Sequence, residues 1–192
     1  MVGVRQFNED AVLDTAMQLF WTRGYAATSM QDLAQATGVL RGSLYNAFGD
    51  KEQIFILSFE RYRRQRMEMS AETLAHPDLR TALESYFDML ISLMTSPGEG
   101  AHSRGCLTTK TAADETAQGE MILTALRGLL DGMEGLLTER LKQAGKLALP
   151  PQQAARLLVT LTRGLVIIER VYSDPARLRA SAAALIDLLL KK

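Results

Sequence analysis

The chain has 192 residues, 47% hydrophobic and 23% charged, a balance that excludes a disordered or fibrous polymer and leaves enough apolar mass for a core. Its 22 Lys and Arg against 22 Asp and Glu give a formal net charge of +0, so contact with a polyanion must be local rather than driven by a global field. One cysteine and two histidines exclude an internal disulfide and a Cys-rich zinc cluster. No metal and no cofactor is therefore expected. The first ten residues lack a signal-peptide core, and no run approaches the ~18 apolar residues of a membrane span. A cytoplasmic protein with no membrane partner is the expectation.

Apolar residues recur three and four apart through long segments, and no alternating pattern bounded by turns argues for a sheet. The expected fold is all-α: an N-terminal three-helix, helix-turn-helix unit over residues 1–50, and a C-terminal helical unit over 51–192. A long connector helix, at about 51–75, opens the second unit. Helix one begins at Asn8 as N-cap, with Glu9 and Asp10 at the positive end of the helix dipole, and ends near Arg23 at Gly24. Thr28 to Gln31 reads as a capping box opening helix two, which stops at Gly38. Helix three runs through Arg41 to Phe48, with Leu44 and Phe48 inward.

Two short helices meeting at one glycine, with small Ala34 four residues before it and Leu44 six after it, have helix-turn-helix spacing. The second helix then presents Arg41, Ser43, Tyr45 and Asn46 outward, all able to hydrogen-bond phosphates or base edges in a major groove. On spacing alone the same residues suit a plain helical hairpin with a solvated polar face.

The block Thr28, Leu33-Ala34, Gly38-Val39, Gly42-Ser43-Leu44-Tyr45, Phe48 and Lys51-Glu52 resembles the N-terminal module of the tetracycline-repressor-like (TetR/AcrR) bacterial transcription regulators. It covers the first quarter to third of the chain. It departs from the family pattern at Leu40, where a small polar N-cap is usual, and at Ala47, where an aromatic or His is usual. The resemblance implies phosphate contacts from Thr28, Tyr45 and Lys51, and base reading by Arg41, Gly42, Ser43 and Asn46. It further implies double-stranded operator DNA as partner, a homodimer through the last two helices, and a non-enzymatic repressor released by a small-molecule effector. Residues 1–66 hold eight basic and seven acidic side chains, so the local excess of positive charge is slight. Glu9, Asp10 and Asp14 must then face away from DNA. The Arg61 to Arg66 run is expected to be a solvated face of helix four.

Beyond the connector, His76-Pro77 ends helix four, and Asp78 opens a fifth helix with Leu79, Leu83, Phe87, Leu90 and Met94 inward. A long helical segment after Gly105-Cys106-Leu107 carries Met121, Leu126, Leu130, Met133 and Leu137 and ends near Gly145. Two helices close the chain, at 152 to about 172 and 175 to about 190. Leu165 to Ile168 is apolar all round, which demands contact on more than one side. The resembling family holds its ligand between the middle helices, where Phe87, Met89, Met94, Cys106, Met121 and Met133 are the candidates. The Gly105-Cys106-Leu107 segment is similar to one in a branch of the family, some of whose members respond to electrophiles or oxidants through that cysteine. Arg104 and His102 stand near enough in sequence to depress its pKa. The alternatives carried forward are a Cys/His nucleophilic site built on His102 and Cys106, and a helical interaction module with no DNA role.

Overall fold

The computed structural model describes residues 7–96, 103 and 105–190. Among them are nine helices: α1 Glu9–Arg23, α2 Met30–Thr37, α3 Arg41–Phe48, α4 Lys51–Leu74, α5 Leu79–Thr95, α6 Leu107–Ala112, α7 Glu120–Lys142, α8 Pro151–Tyr172 and α9 Pro175–Leu190. The all-α expectation holds. So do the closing pair of helices, to within a residue at each end.

The helix ends follow local chemistry. Asn8 caps α1 by accepting from the Ala11 amide, and Asp50 and Asp78 cap α4 and α5 by accepting from the Gln53 and Thr81 amides. At Gly38 the backbone turns into the left-handed region, φ +69°, which ends α2 and sets the crossing onto α3. Gly49, at φ +85°, lies under the Gln53 side chain, where a Cβ would collide. One capping expectation is corrected. The box that opens α2 is Ser29 with Asp32, not Thr28 with Gln31: the Asp32 amide donates to Ser29 Oγ at 3.1 Å and the Ser29 amide to Asp32 Oδ2 at 2.8 Å. Thr28 is buried, and its hydroxyl donates to Gly24 O at 2.7 Å, which removes it from the cap.

Helix α4 is the spine, packing against α1 on one side and α5 and α7 on the others, while α8 lies against α7, α5 and α9. Its N-terminal half carries Phe55 and Phe59 into an aromatic cluster with Phe20 and Tyr25, which fastens the first three helices to the rest. Cations close two helix C-termini from a distance. Lys110 Nζ donates to Trp21 O at 2.7 Å, and Arg140 donates to Leu74 O at 2.9 Å and to His76 O at 2.8 Å. The short α6 interrupts what the sequence suggests is one long segment, and α7 ends at Lys142 rather than near Gly145.

The expected solvated face of α4 is also corrected. Arg61 bridges to α1, donating to Asp10 at 2.6 Å and to both oxygens of Asp14 at 2.8 and 2.9 Å. Arg66 is buried over the Trp21 and Tyr62 rings, with Arg64 and Gln65 left exposed. No helix among the described residues is long and apolar enough to cross a membrane.

Candidate nucleic-acid interface and internal cavity

The crossing at Gly38 buries Leu33, Leu44 and Phe48 between α2, α3 and α1 and leaves the opposite side of α3 outward. Arg41, Gly42, Tyr45 and Asn46 are exposed there, with Ser43 half-buried beside them. Arg41 Nη2 donates to Tyr45 Oη at 3.4 Å, and its guanidinium lies 5.5 Å from the ring centroid, so the two side chains form one polar ridge. The carboxylates of Asp10 and Asp14, which the net charge requires to be occupied elsewhere, are engaged by Arg61.

The other two expected phosphate contacts are placed differently. Thr28 is buried with its hydroxyl spent on Gly24 O. Lys51 is half-buried, donating to Tyr25 O at 3.1 Å and sitting 4.1 Å from the Tyr25 ring centroid. A Lys ammonium has three donors, so this one retains capacity for an anion while being held in place.

A second feature lies in the C-terminal two thirds. A cavity of about 40 Å3 opens between α4, α5, α6, α7 and α8, with Trp21 of α1 in its wall. Of the six candidates read from the sequence, Met94, Cys106 and Met133 line it. Three do not. Met121, one residue before buried Ile122, points to solvent and is 54% exposed. Met89 is half-buried on another face of α5, and Phe87 lines a separate groove against α9.

The sequence reading missed the cavity's polar groups: Tyr62 and Arg66 from α4, Tyr86 from α5, Thr108 from α6, and Thr162 and Arg163 from α8. A signal existed. Thr162 and Arg163 interrupt the stripe of Leu158, Val159, Leu165 and Val166 that otherwise turns apolar groups inward.

Cys106 is the chemical centre of this cavity. Arg163 Nη1 lies 3.3 Å from its Sγ and the Tyr62 hydroxyl 3.7 Å away. Burial pushes the thiol up, but the Arg163 guanidinium, aided by the Tyr62 hydroxyl, outweighs burial and brings it down to about 7. Burial pushes Tyr62 strongly up and Tyr86 up to about 12, so both phenols stay protonated donors. His102 and Arg104, the neighbours expected from the sequence, lie outside the described residues. Because the thiolate is the reactive form, alkylation of Cys106 by iodoacetamide should accelerate through pH 6 to 8 with a midpoint near 7, where an ordinary thiol at 9.0 is still protonated. A rate–pH profile read by intact mass checks this, and a midpoint near 9 contradicts it.

The cavity wall is tied to the N-terminal helices. Trp21 Nε1 donates to Gly105 O at 3.0 Å, Lys110 Nζ reaches Trp21 O and Thr22 O, and the Ala26 amide donates to Asp114 Oδ2 at 2.8 Å. The residues flanking Cys106 thus grip the C-terminal end of α1. No group of three or more His, Cys, Asp or Glu able to hold a metal occurs among the described residues.

Residues 12–56 match the family described as bacterial regulatory proteins, tetR family. The chain is 39% identical over 92 residues to the HTH-type transcriptional repressor ComR of Escherichia coli, a stretch covering 47% of this chain and 44% of that protein. The chain spans about half the length of the curated relatives it matches. Among solved structures, the reduced form of E. coli NemR superposes with TM-score 0.85 at 22% identity over 95% of this chain and 97% of that one, a likeness of fold. A cysteine mutant of the TetR family transcriptional regulator CifR, complexed with 26-bp double-strand operator DNA, superposes with TM-score 0.83 at 26% identity, covering 97% and 98% of the two chains.

Proposed function

We propose that the chain is a member of the TetR/AcrR family of bacterial transcriptional regulators and, within it, a dimeric, ligand-responsive operator-binding protein, a repressor rather than an enzyme. The observation that carries this reading is the exposed ridge of Arg41, Tyr45 and Asn46 on α3, inside the segment that matches the family. Residues 1–50 are the DNA-reading unit and 51–192 the effector and dimer unit, with α4 as connector. Tyr45 and Lys51 grip phosphates, Thr28 supports the turn before α2, and Arg41, Gly42, Ser43 and Asn46 face the bases. Arg41 is suited to guanine and Asn46 to adenine.

The dimer surface is the outer side of α8 and α9, where Leu157, Ile167, Val171 and Leu188 are exposed. Gly164 lies on the same stripe of α8 with open space around it, which permits close helix approach. In the dimer two α3 helices enter successive major grooves ~34 Å apart. The relative named above carries operator DNA on the same overall fold, which supports this geometry.

The effector site is the cavity around Cys106. The thiol is buried, so a small electrophile that can enter reaches it, whereas a disulfide to a second chain would require unpacking α6. An adduct there displaces Gly105 and α6, and through the Trp21, Lys110 and Asp114 hydrogen bonds tilts α1 and the reading head behind it. Release then equals the effector's preference for the tilted conformer, no more.

One fluorescence-anisotropy experiment tests the reading, using the duplex that flanks the gene. Affinity should fall with salt at a log–log slope of about −5 if ~6 phosphates are neutralised, and Tyr45→Ala should weaken binding about tenfold on every sequence alike. Stoichiometric alkylation of Cys106 should weaken binding by a similar factor, and Cys106→Ser should abolish that response. Salt-insensitive binding with no sequence preference would favour the interaction-module alternative, and alkylation without effect would remove Cys106 as the trigger.

A further inference from the structure

The cavity around Cys106 is lined by polar and apolar groups together. Arg163, which also donates to Thr162 Oγ1 at 3.1 and 3.0 Å, and Arg66 bring two guanidiniums to it, Thr108 adds a hydroxyl, and Leu90, Met133 and Val159 contribute apolar surface. No Asp or Glu among the described residues lines it. Glu169, buried farther along α8, accepts from Ser103 at 2.6 Å and stands outside the lining. The Thr108 Oγ1 is the telling atom: the residue is 2% exposed, lines the cavity, and its hydroxyl has no hydrogen-bond partner.

A buried hydroxyl without an acceptor is a standing cost, and the two cations that line the same cavity favour an anion as that acceptor. Both are met by one guest. A carboxylate offers lone pairs to a fork of N–H groups and to an adjacent O–H at once, and its short carbon chain suits the apolar surface. We propose that this cavity is a subsite for the carboxylate end of a small organic acid, held by Arg163, Arg66 and Thr108 beside the Cys106 thiol. The proposal rests on reading the cavity as the effector site and deepens it by naming the charge of the effector. The volume of about 40 Å3 holds roughly three waters at 10–15 Å3 each, so the acid is a few heavy atoms long or enters as Met94 and Met133 shift.

Iodoacetate and iodoacetamide test this because they have nearly the same size and demand the same opening of the cavity. They differ in charge. With either, the Cys106 thiolate attacks the methylene carbon, a C–S bond forms, and iodide leaves with the electron pair of the broken C–I bond. The iodoacetate-to-iodoacetamide rate ratio at Cys106 in the full chain is measured by intact mass at pH 7 and divided by the same ratio for glutathione. An increase of about tenfold or more is expected, the scale set by one charge-assisted hydrogen bond. Arg66→Gln should return the ratio toward that of glutathione. Thr108→Val, which keeps the shape of α6, should lower it about threefold with the helical circular dichroism unchanged. A wild-type ratio no higher than glutathione's, a thiol unreactive toward both reagents, or a folded Thr108→Val protein with the wild-type ratio would overturn the proposal. These rates are read without DNA, so alkylation that leaves operator binding unchanged sinks the release reading while the carboxylate preference stands.

Discussion

Ile167→Asp combined with Val171→Asp should convert the protein to monomers and lower operator affinity by at least two orders of magnitude. Ile167 and Val171 are 55% and 69% exposed, one turn apart on α8, in line with Leu157 and Gly164. Apolar side chains repeated along one face of a helix that is already packed inward on its other face have no role in the monomer core. In a two-fold dimer each substitution occurs twice, so four carboxylates enter a surface that would otherwise exclude water, and a desolvated unpaired charge is prohibitive there. The loss in DNA affinity follows because two linked reading heads bind with an advantage of about 10²–10⁴ over one. Sedimentation equilibrium gives the association state and anisotropy the affinity, and unchanged circular dichroism shows that the fold survives. A double variant that stays dimeric and binds as the parent does would place the interface elsewhere.

Phe55→Ala should cost about 3–5 kcal/mol of stability and, for a chain of this size, lower the Tm by roughly 6–20 °C. Phe55 is fully buried on α4, with ring centroids 5.1 Å from Phe20, 5.2 Å from Tyr25 and 5.7 Å from Phe59. Two of these contacts are edge-to-face, the arrangement that aromatic quadrupoles favour. Truncation removes the ring area and leaves a hole that α1, α4 and the turn at Tyr25 cannot close together, since each is anchored by other contacts. The same hole loosens the first three helices from the connector, so operator affinity should fall along with the Tm. Urea unfolding monitored by Trp21 fluorescence reads the stability term. A loss below about 1 kcal/mol would mean that the aromatic cluster is not what fastens the two parts.

Much of the scaffold is legible residue by residue. Asn8 is readable as a cap because its side-chain oxygen satisfies an amide three residues on, a purely local event. Gly24 and Gly38 mark helix ends because positive φ excludes most other residues. Leu44 and Phe48 fall inward by period alone. The polar ridge of α3 follows from the same period, so that part of the candidate interface was readable as well.

The misreadings have specific physical causes. Thr28 and Ser29 are adjacent hydroxyls, each with a polar residue three positions on, and the choice between them was made by burial of Thr28 against Gly24 O, a tertiary event. Met121 and Ile122 differ by one position, which at the first turn of α7 is the difference between solvent and core. Arg61 and Arg66 look like surface charge in a basic run, yet Arg61 closes α4 onto α1 and Arg66 enters the cavity. A charge pattern records hydrophilicity, whereas a guanidinium's place depends on which carboxylate or ring another helix brings to it.

What the amino-acid order determined by itself is therefore most of the helices, the cap at Asn8 and the outward side of α3, because these depend on hydrogen bonds and periodicities spanning only a few residues. What only the tertiary structure decided is the surroundings of Cys106. Its Arg163 lies 57 residues away on α8 and its Tyr62 44 residues away on α4. Contacts between residues so far apart in the chain arise from the packing of whole helices, which no local spacing encodes.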